Sequence, residues 1–269
     1  MASAGSFLRR RGCPEGSAAE GSATSGGKVL YVVYSDSRNY ETRLRWVLDS
    51  WAKQVPPSDF VVIGDAEYSY QCIGNSGVNV HVIKTDCLAN SHWDGACCKY
   101  VQAVRHAYGL MQADADYTWA YFTDDDAYVR PLALERALAQ QPPDYENKGI
   151  VVGNVGCKTS DCPFSVCMGG GYAANRRALE LAAVDDQVET RYCNRCGRWA
   201  DAALSQAFIA RNVQFRPLAG LYGRKLGKDK FDASLSTGPE PIMYHYVQSA
   251  QQMQMLHALF SAAAGGNAS

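Results

Sequence analysis

Residues 117–134 read YTWAYFTDDDAYVRPLAL, and this stretch decides the fold. It carries the apolar, aromatic run Trp119-Ala120-Tyr121-Phe122-Thr123, which has the length and side chains of a buried strand. Three carboxylates follow at once, Asp124-Asp125-Asp126, and Pro131 suits the first turn of a helix running to about Gln140. In open α/β sheets, ligands gather at the carboxyl ends of the strands. Carboxylates crowded there repel one another unless a cation is present. Mg2+ or Mn2+, held by one or two carboxylates together with substrate phosphates, relieves that repulsion. An acidic triplet is also common as a solvated loop; the buried-looking strand before it and the helix start after it favour the cation.

The pattern extends outward from this stretch. Val29-Leu30-Tyr31-Val32-Val33-Tyr34 is a continuous, partly β-branched run of the kind buried on both faces of a sheet. After the polar turn Ser35–Asn39, Leu44, Val47, Leu48 and Trp51 fall on one helix face, and Pro56-Pro57 ends that helix. Phe60-Val61-Val62-Ile63 is a second strand, closed by Gly64-Asp65; Val78 to Ile83 is a third and Ile150-Val151-Val152 another. Val101, Val104, Tyr108 and Met111 have helical spacing. Strands alternating with helices predict a single α/β domain with a mostly parallel sheet and helices on both faces. Residues 1–27, rich in Ala, Ser and Gly, read as a disordered leader, and 261–269 as a flexible tail.

Composition narrows the function classes. With 47% hydrophobic and 20% charged residues among 269, the chain can bury a sizeable core. A net charge of −1 and no dense basic stripe argue against nucleic acid or an anionic membrane as partner. No stretch approaches the roughly 18–20 apolar residues that span a bilayer. Arg9-Arg10-Arg11 is not followed by the apolar segment of a signal peptide. Ten cysteines point to an oxidising compartment. An intracellular metal protein is the competing reading, but Cys193-Asn194-Arg195-Cys196 is the one CxxC pair and no second completes a zinc site. No Gly-x4-Gly-Lys-Ser/Thr stretch occurs, which removes P-loop phosphoryl transfer.

Several segments in order resemble one family. YTWAYFTDDDAYVRPLAL is similar to the DxD segment of Fringe-type and core-1-type β1,3-glycosyltransferases. Arg43 to Trp51 resembles that family's Arg-rich helix ending in Thr-Trp, and Phe60–Asp65 the strand and Asp-bearing turn after it. Cys87 and Cys98-Lys99 resemble a Fringe bridge. Met168-Gly169-Gly170-Gly171-Tyr172 resembles the family's glycine loop, one residue short. Trp199 to Ser205 resembles its acidic helix start, and Met243-Tyr244-His245-Tyr246-Val247 its Phe-His-Tyr-Val segment.

The resemblance implies a GT-A fold, with a nucleotide-binding sheet in one catalytic domain over residues 28–260. It implies an inverting glycosyltransferase that moves Gal or GlcNAc from a UDP-sugar to a glycan hydroxyl of a glycoprotein in β1,3 linkage. The cofactor it implies is Mn2+, or Mg2+ in its place. By the same resemblance Asp126 and His245 are metal ligands, and Asp125 and Arg43 contact the donor. Asp124 helps hold the nucleotide or orders its loop. Asp65 accepts from uracil or ribose, and Gly169, Gly170 and Gly171 let the backbone approach the sugar. Asp201 is the catalytic base, although Ala200 stands where many relatives carry an acid.

A Cys87–Cys98 disulfide is implied as well. The cysteine that Fringe proteins carry just before the triplet is replaced by Phe122-Thr123. The pairing of Cys157, Cys162, Cys167, Cys193 and Cys196 stays open. So does the sugar: the His245 segment favours Gal and the Cys87–Cys98 segment GlcNAc. The implied compartment is the Golgi or endoplasmic reticulum lumen, with a membrane anchor outside these residues. The alternative is a catalytically inactive GT-A-like module that binds a glycan or a protein.

Overall fold

The β-branched, aromatic run Lys28–Tyr34 (β1) lies near the middle of an eight-stranded sheet because both of its faces are apolar. Tyr31 and Val33 point into one core layer, Leu30 and Val32 into the other. This alternation is what a strand sandwiched between two layers requires. The computed structural model describes residues 27–71, 79–89, 94–141, 147–162, 164–184, 189–196, 199–225 and 227–265. The leader up to residue 26, with Cys13, and also Cys72, Val78 and the last four residues of the tail lie outside the described residues.

The other strands of the large sheet are β2 (Phe60–Gly64), β3 (Ser69–Gln71), β4 (Asn79–Lys84), β5 (Tyr117–Asp124), β7 (Ile150–Gly153), β10 (Tyr172–Asn175) and β11 (Gln214–Pro217). Their order is β11-β7-β10-β5-β1-β2-β4-β3. A small sheet joins β12 (Leu221–Tyr222), β13 (Met243–Tyr244) and β6 (Tyr128–Val129); β8 (Val155–Cys157) pairs with β9 (Ser165–Val166). The main helices are α1 (Arg45–Leu48), α2 (Asp94–Ala113), α3 (Pro131–Ala139), α4 (Arg176–Ala183), α5 (Ala200–Ala210), α6 (Lys228–Ser236) and α7 (Ala250–Gly265). One core layer takes residues from α2, α4 and α5; the other takes the segment around α1, with α3, α7 and the small sheet.

The expected α/β sheet with helices on both faces is therefore present. Strands β4, β2, β1 and β5 run parallel, as do β7 and β11. Between them β10 is antiparallel to both β5 and β7. In the sequence Tyr172 reads as the end of a glycine loop, because Tyr-Ala-Ala-Asn is short and carries no β-branched residue. Asn175 closes this strand and opens α4: its Oδ1 accepts from Ala178 N and from Ile150 N, and its Nδ2 donates to the Lys148 carbonyl.

The helix read over residues 44–51 is less regular than expected. Tyr40–Leu44 is a π turn, Arg45–Leu48 is α and Trp51–Gln54 is 3-10. The face was read as it stands, since Leu44, Val47, Leu48 and Trp51 are all fully buried. Trp51 packs edge-on to Phe60 and against Tyr31. Its Nε1 donates to the Ala127 carbonyl at 2.9 Å, which ties this segment to the turn just after the acidic triplet.

Trp51→Phe keeps an apolar ring but strands that buried carbonyl. The variant is expected to lose about 1–3 kcal/mol of stability in urea unfolding with the disulfides intact. Unchanged stability would show that Ala127 does not depend on Trp51.

Candidate functional site

The strand order reverses at the β1–β5 pair. From β1 the chain moves outward to β2 and β4, then returns to lay β5 on the other side of β1. Such a switch point opens a crevice at the carboxyl ends of the two strands. The register puts Tyr34 beside Asp124, so the turn after β1 and the acidic triplet share that mouth. His245 reaches the same place through the small sheet. Met243 pairs with Val129 and Tyr244 with Tyr128, and Val247 N donates to the Asp126 carbonyl at 2.9 Å. Pairing just downstream of the triplet thus brings in a histidine more than a hundred residues later.

Each carboxylate has its own partners. Asp124 Oδ1 accepts from the Tyr100 hydroxyl at 2.6 Å, and Asp125 Oδ2 from Ser35 Oγ at 2.6 Å. Arg43 Nη1 lies 3.8 Å from Asp125 Oδ1 and 3.4 Å from Asp126 Oδ2. His245 Nε2 lies 2.9 Å from Asp126 Oδ1 and 3.7 Å from Asp124 Oδ2.

These residues fit a divalent cation. One donor atom each from Asp124, Asp126 and His245 lies within 4.8 Å of the others. Asp126 Oδ1 is buried and takes no well-formed hydrogen bond. His245 Nδ1 is 3.2 Å from the Gly223 carbonyl, which can only accept. That bond puts a hydrogen on Nδ1, so Nε2, facing the carboxylates, carries a proton in the charged ring and offers its lone pair to a cation in the neutral one, the arrangement of a metal-ligating histidine. The family resemblance gives Asp126 and His245 to the metal and Asp124 to the nucleotide or to ordering its loop; the geometry brings all three together.

Electrostatics point the same way. Burial raises Asp125 to about 7, with the Asp126 and Asp124 charges adding to it and Ser35 and Arg43 opposing. Burial also raises Asp124, helped by the Asp126 and Asp201 charges against the pull of His245. For His245, burial lowers the pKa, but Asp126 and Asp124 outweigh it and hold the ring above its ordinary value. The cluster therefore draws positive charge, as a proton on the imidazole or as a cation.

Asp201 sits in the first turn of α5, where its Oδ1 accepts from Ala202 N. Its charge raises both Asp124 and Tyr100, so it stands within electrostatic reach of the triplet. The segment before it is held by Cys97–Cys193 and Cys162–Cys196. The CxxC pair is thus divided between two disulfides and forms no zinc site. Cys87–Cys98 is bridged, and Cys157–Cys167 closes the β8–β9 hairpin.

The glycine run packs against the histidine. A Cβ on Gly169 would meet His245 Cε1 at 2.5 Å, and one on Gly170 would lie 3.1 Å from the Gly223 Cα. Gly171 has φ +73°, a conformation that side chains disfavour. Asp65 faces inward. Its Oδ1 accepts from Ser37 N and pairs with Lys99 Nζ at 3.0 Å, while its Oδ2 accepts from Ser37 Oγ at 2.7 Å. It holds the turn after β1 in place. Sequence reasoning missed Ser35, Lys99, Tyr100 and Gly223. A buried tyrosine and a lone glycine carry no signal that separates them from packing residues.

A family model described as Fringe-like matches residues 25–162, just over half of the chain. The chain belongs to the Fringe-like family. The matched part of this Fringe-like protein holds Arg43, Asp65, the Cys87–Cys98 bridge and the triplet; Asp201 and His245 lie beyond it. Family membership makes the protein a glycosyltransferase. No curated protein matches the sequence. Among solved structures, it is similar to a glycosyltransferase involved in the glycosylation of the major capsid of PBCV-1. The identity is 9% and the TM-score 0.43, covering 85% of this chain and 99% of that one. It is also similar to the apo WbbM bifunctional glycosyltransferase, at 13% identity and TM-score 0.44, covering 86% of this chain and 50% of that one.

Two outcomes follow from this geometry. Gly169→Ala displaces the His245 ring and is expected to weaken any divalent-cation binding about 10–100-fold in a metal titration; unaltered affinity would contradict a ligand role for His245. Lys99→Met removes a charged partner from Asp65 and is expected to cost about 1.5–3 kcal/mol in denaturant at neutral pH. For Asp65, burial raises the pKa, but Ser37 and Lys99 outweigh it and hold it below the ordinary value. Its contribution is therefore full above an unfolded pKa of about 4 and is lost as pH falls through the lowered value. The gap between Lys99→Met and wild type should close in acid; a gap independent of pH would contradict this.

Proposed function

We propose that the protein is an inverting, Mn2+-dependent glycosyltransferase that moves Gal or GlcNAc from a UDP-sugar to a hydroxyl of a glycoprotein glycan, in β1,3 linkage. The observation that carries this reading is the convergence of Asp124, Asp126 and His245 at the β1–β5 switch point, with the charge of Asp201 felt there from a neighbouring helix start. The catalytic domain on this reading spans residues 28–260. Its acceptor-binding part includes the disulfide-held segment that leads into α5.

Asp124, Asp126 and His245 would hold the cation, with Mg2+ as the substitute for Mn2+. When bound, the cation offsets the negative charge that builds on the leaving diphosphate. Arg43, 42% exposed beside Asp125 and Asp126, is placed to pair with a phosphate oxygen. Asp125, fixed by Ser35, stands on the donor side. The Gly169–Gly171 backbone, packed close beside His245, would approach the sugar, and Ser37, held by Asp65, would face the nucleotide.

Asp201 accepts the proton of the acceptor hydroxyl as that oxygen attacks the anomeric carbon. The bond from the anomeric carbon to the diphosphate oxygen breaks on the opposite face and its electron pair leaves with UDP, so the configuration inverts. Four disulfides among the described residues fit an oxidising compartment, and the Golgi or endoplasmic reticulum lumen is the one this chemistry suggests. Among the described residues no helix is long and apolar enough to cross a membrane.

The test uses UDP-Gal and UDP-GlcNAc in parallel with a set of glycan acceptors. Asp201→Asn is expected to lower kcat by about 10²–10⁴ while leaving UDP affinity unchanged. Asp126→Ala is expected to lose metal-dependent UDP binding. Near-normal turnover in Asp201→Asn would remove the base assignment.

A further inference from the structure

In its first two turns helix α2 carries four consecutive residues that each hold a different part of the site. Cys97 is bridged to Cys193 ahead of α5, and Cys98 to Cys87 beyond β4. Lys99 pairs with Asp65, and Tyr100 donates to Asp124. The first three decide where loops lie. Tyr100 differs because it touches a carboxylate of the cation cluster itself.

Its hydroxyl holds Asp124 Oδ1 at 2.6 Å, and the other oxygen, Oδ2, is the one that faces His245 Nε2 at 3.7 Å. A carboxylate with one oxygen tied in this way is hindered from rotating, so which oxygen it presents is settled before any cation arrives. The phenol is itself wedged in place. Its ring centroid is 4.0 Å from that of Tyr34, and the Tyr34 hydroxyl is 3.1 Å from that of Tyr172, just after the glycine run. Tyr100 is 8% exposed, too little for a substrate to rest on. A tyrosine hydroxyl carries a proton to give and a carboxylate oxygen can only accept, so Tyr100 is the donor in this bond.

We propose that Tyr100 is a positioning residue for the cation. Its hydrogen bond to Asp124 Oδ1 turns Oδ2 toward the space shared by Asp126 Oδ1 and His245 Nε2. The inference rests on the metal-site reading above and adds to it a residue outside the ligand set. Partners of this kind govern ligand orientation, and their loss typically costs 10–100-fold in metal affinity.

Tyr100→Phe removes one oxygen and keeps the ring that packs on Tyr34. Its unfolding midpoint in excess chelator, compared with that of the wild type, reports whether the fold is intact. Mn2+ affinity is then read from the electron paramagnetic resonance signal of free Mn2+ at saturating UDP. The expected result is a loss of about 10–100-fold. In the transfer assay the Mn2+ concentration for half-maximal rate rises by the same factor, while kcat at saturating Mn2+ holds. Unaltered Mn2+ affinity in the folded variant overturns the inference. So does a fall in kcat at saturating Mn2+ with affinity unaltered, since that places the effect on a step after metal binding. Wild-type protein that takes up no Mn2+ removes the metal-site reading and this inference together, whereas wild-type uptake with an unaffected variant removes the inference alone.

Discussion

Three adjacent carboxylates at the mouth of an apolar sheet repel one another and lose hydration, and the rest of the structure is arranged around that constraint. Asp125 and Asp126 are buried, and Asp124 ends a strand that is otherwise almost wholly inside. Burial raises Asp124 and Asp125 above the ordinary carboxylate range. Arg43 and His245 offset part of the charge, and Ser35 and Tyr100 supply hydrogen bonds. None of these neutralises the cluster, and Asp126 Oδ1 still accepts no well-formed hydrogen bond. A divalent cation is the simplest group that satisfies both the charge and that oxygen. On the function proposed above, the same cation would answer the charge of the leaving diphosphate.

Holding such a cluster requires a rigid surround, and two devices provide it. One is the sheet: β1 and β5 set the turn after β1 beside the triplet, and the β6–β13 pair brings in His245. The other is covalent. The Cys97–Cys193 and Cys162–Cys196 bridges fix Cys193 and Cys196, a few residues ahead of the helix that carries Asp201. Disulfides act where regular packing is sparse, by limiting the freedom of the unfolded chain. The start of α2 joins both devices, since consecutive residues there reach the bridges, Asp65 and Asp124.

The parts of this arrangement that follow from strong local patterns were legible in the sequence. The runs at Val29–Tyr34 and Trp119–Thr123 are apolar on every residue or nearly so, which marks strands buried on both faces. The triplet points to a cation rather than a solvated loop because a buried strand precedes it and a helix start follows it. His245 and Asp201 carried no physical signal of their own and were placed through resemblance. The antiparallel strand β10 escaped notice because two alanines and an asparagine do not read as a strand; its place comes from pairing with β5 and β7. Asp65 reads in the sequence as a strand-end carboxylate able to accept from uracil or ribose, and only the fold shows Lys99 and Ser37 paired with it. Tyr100 and Gly223 were out of reach, because their roles come from contacts between residues far apart in the chain.

On the proposed function, the acidic cluster and His245 bind a nucleoside diphosphate through a divalent cation. Calorimetry of UDP binding to the disulfide-intact protein, with Mn2+ and again with excess chelator, tests it most directly. Tight binding that appears only with Mn2+ is the predicted result. No UDP binding under either condition, in protein shown to be folded, would contradict the claim and leave Asp124–Asp126 as an acidic turn on an inactive glycosyltransferase-like module.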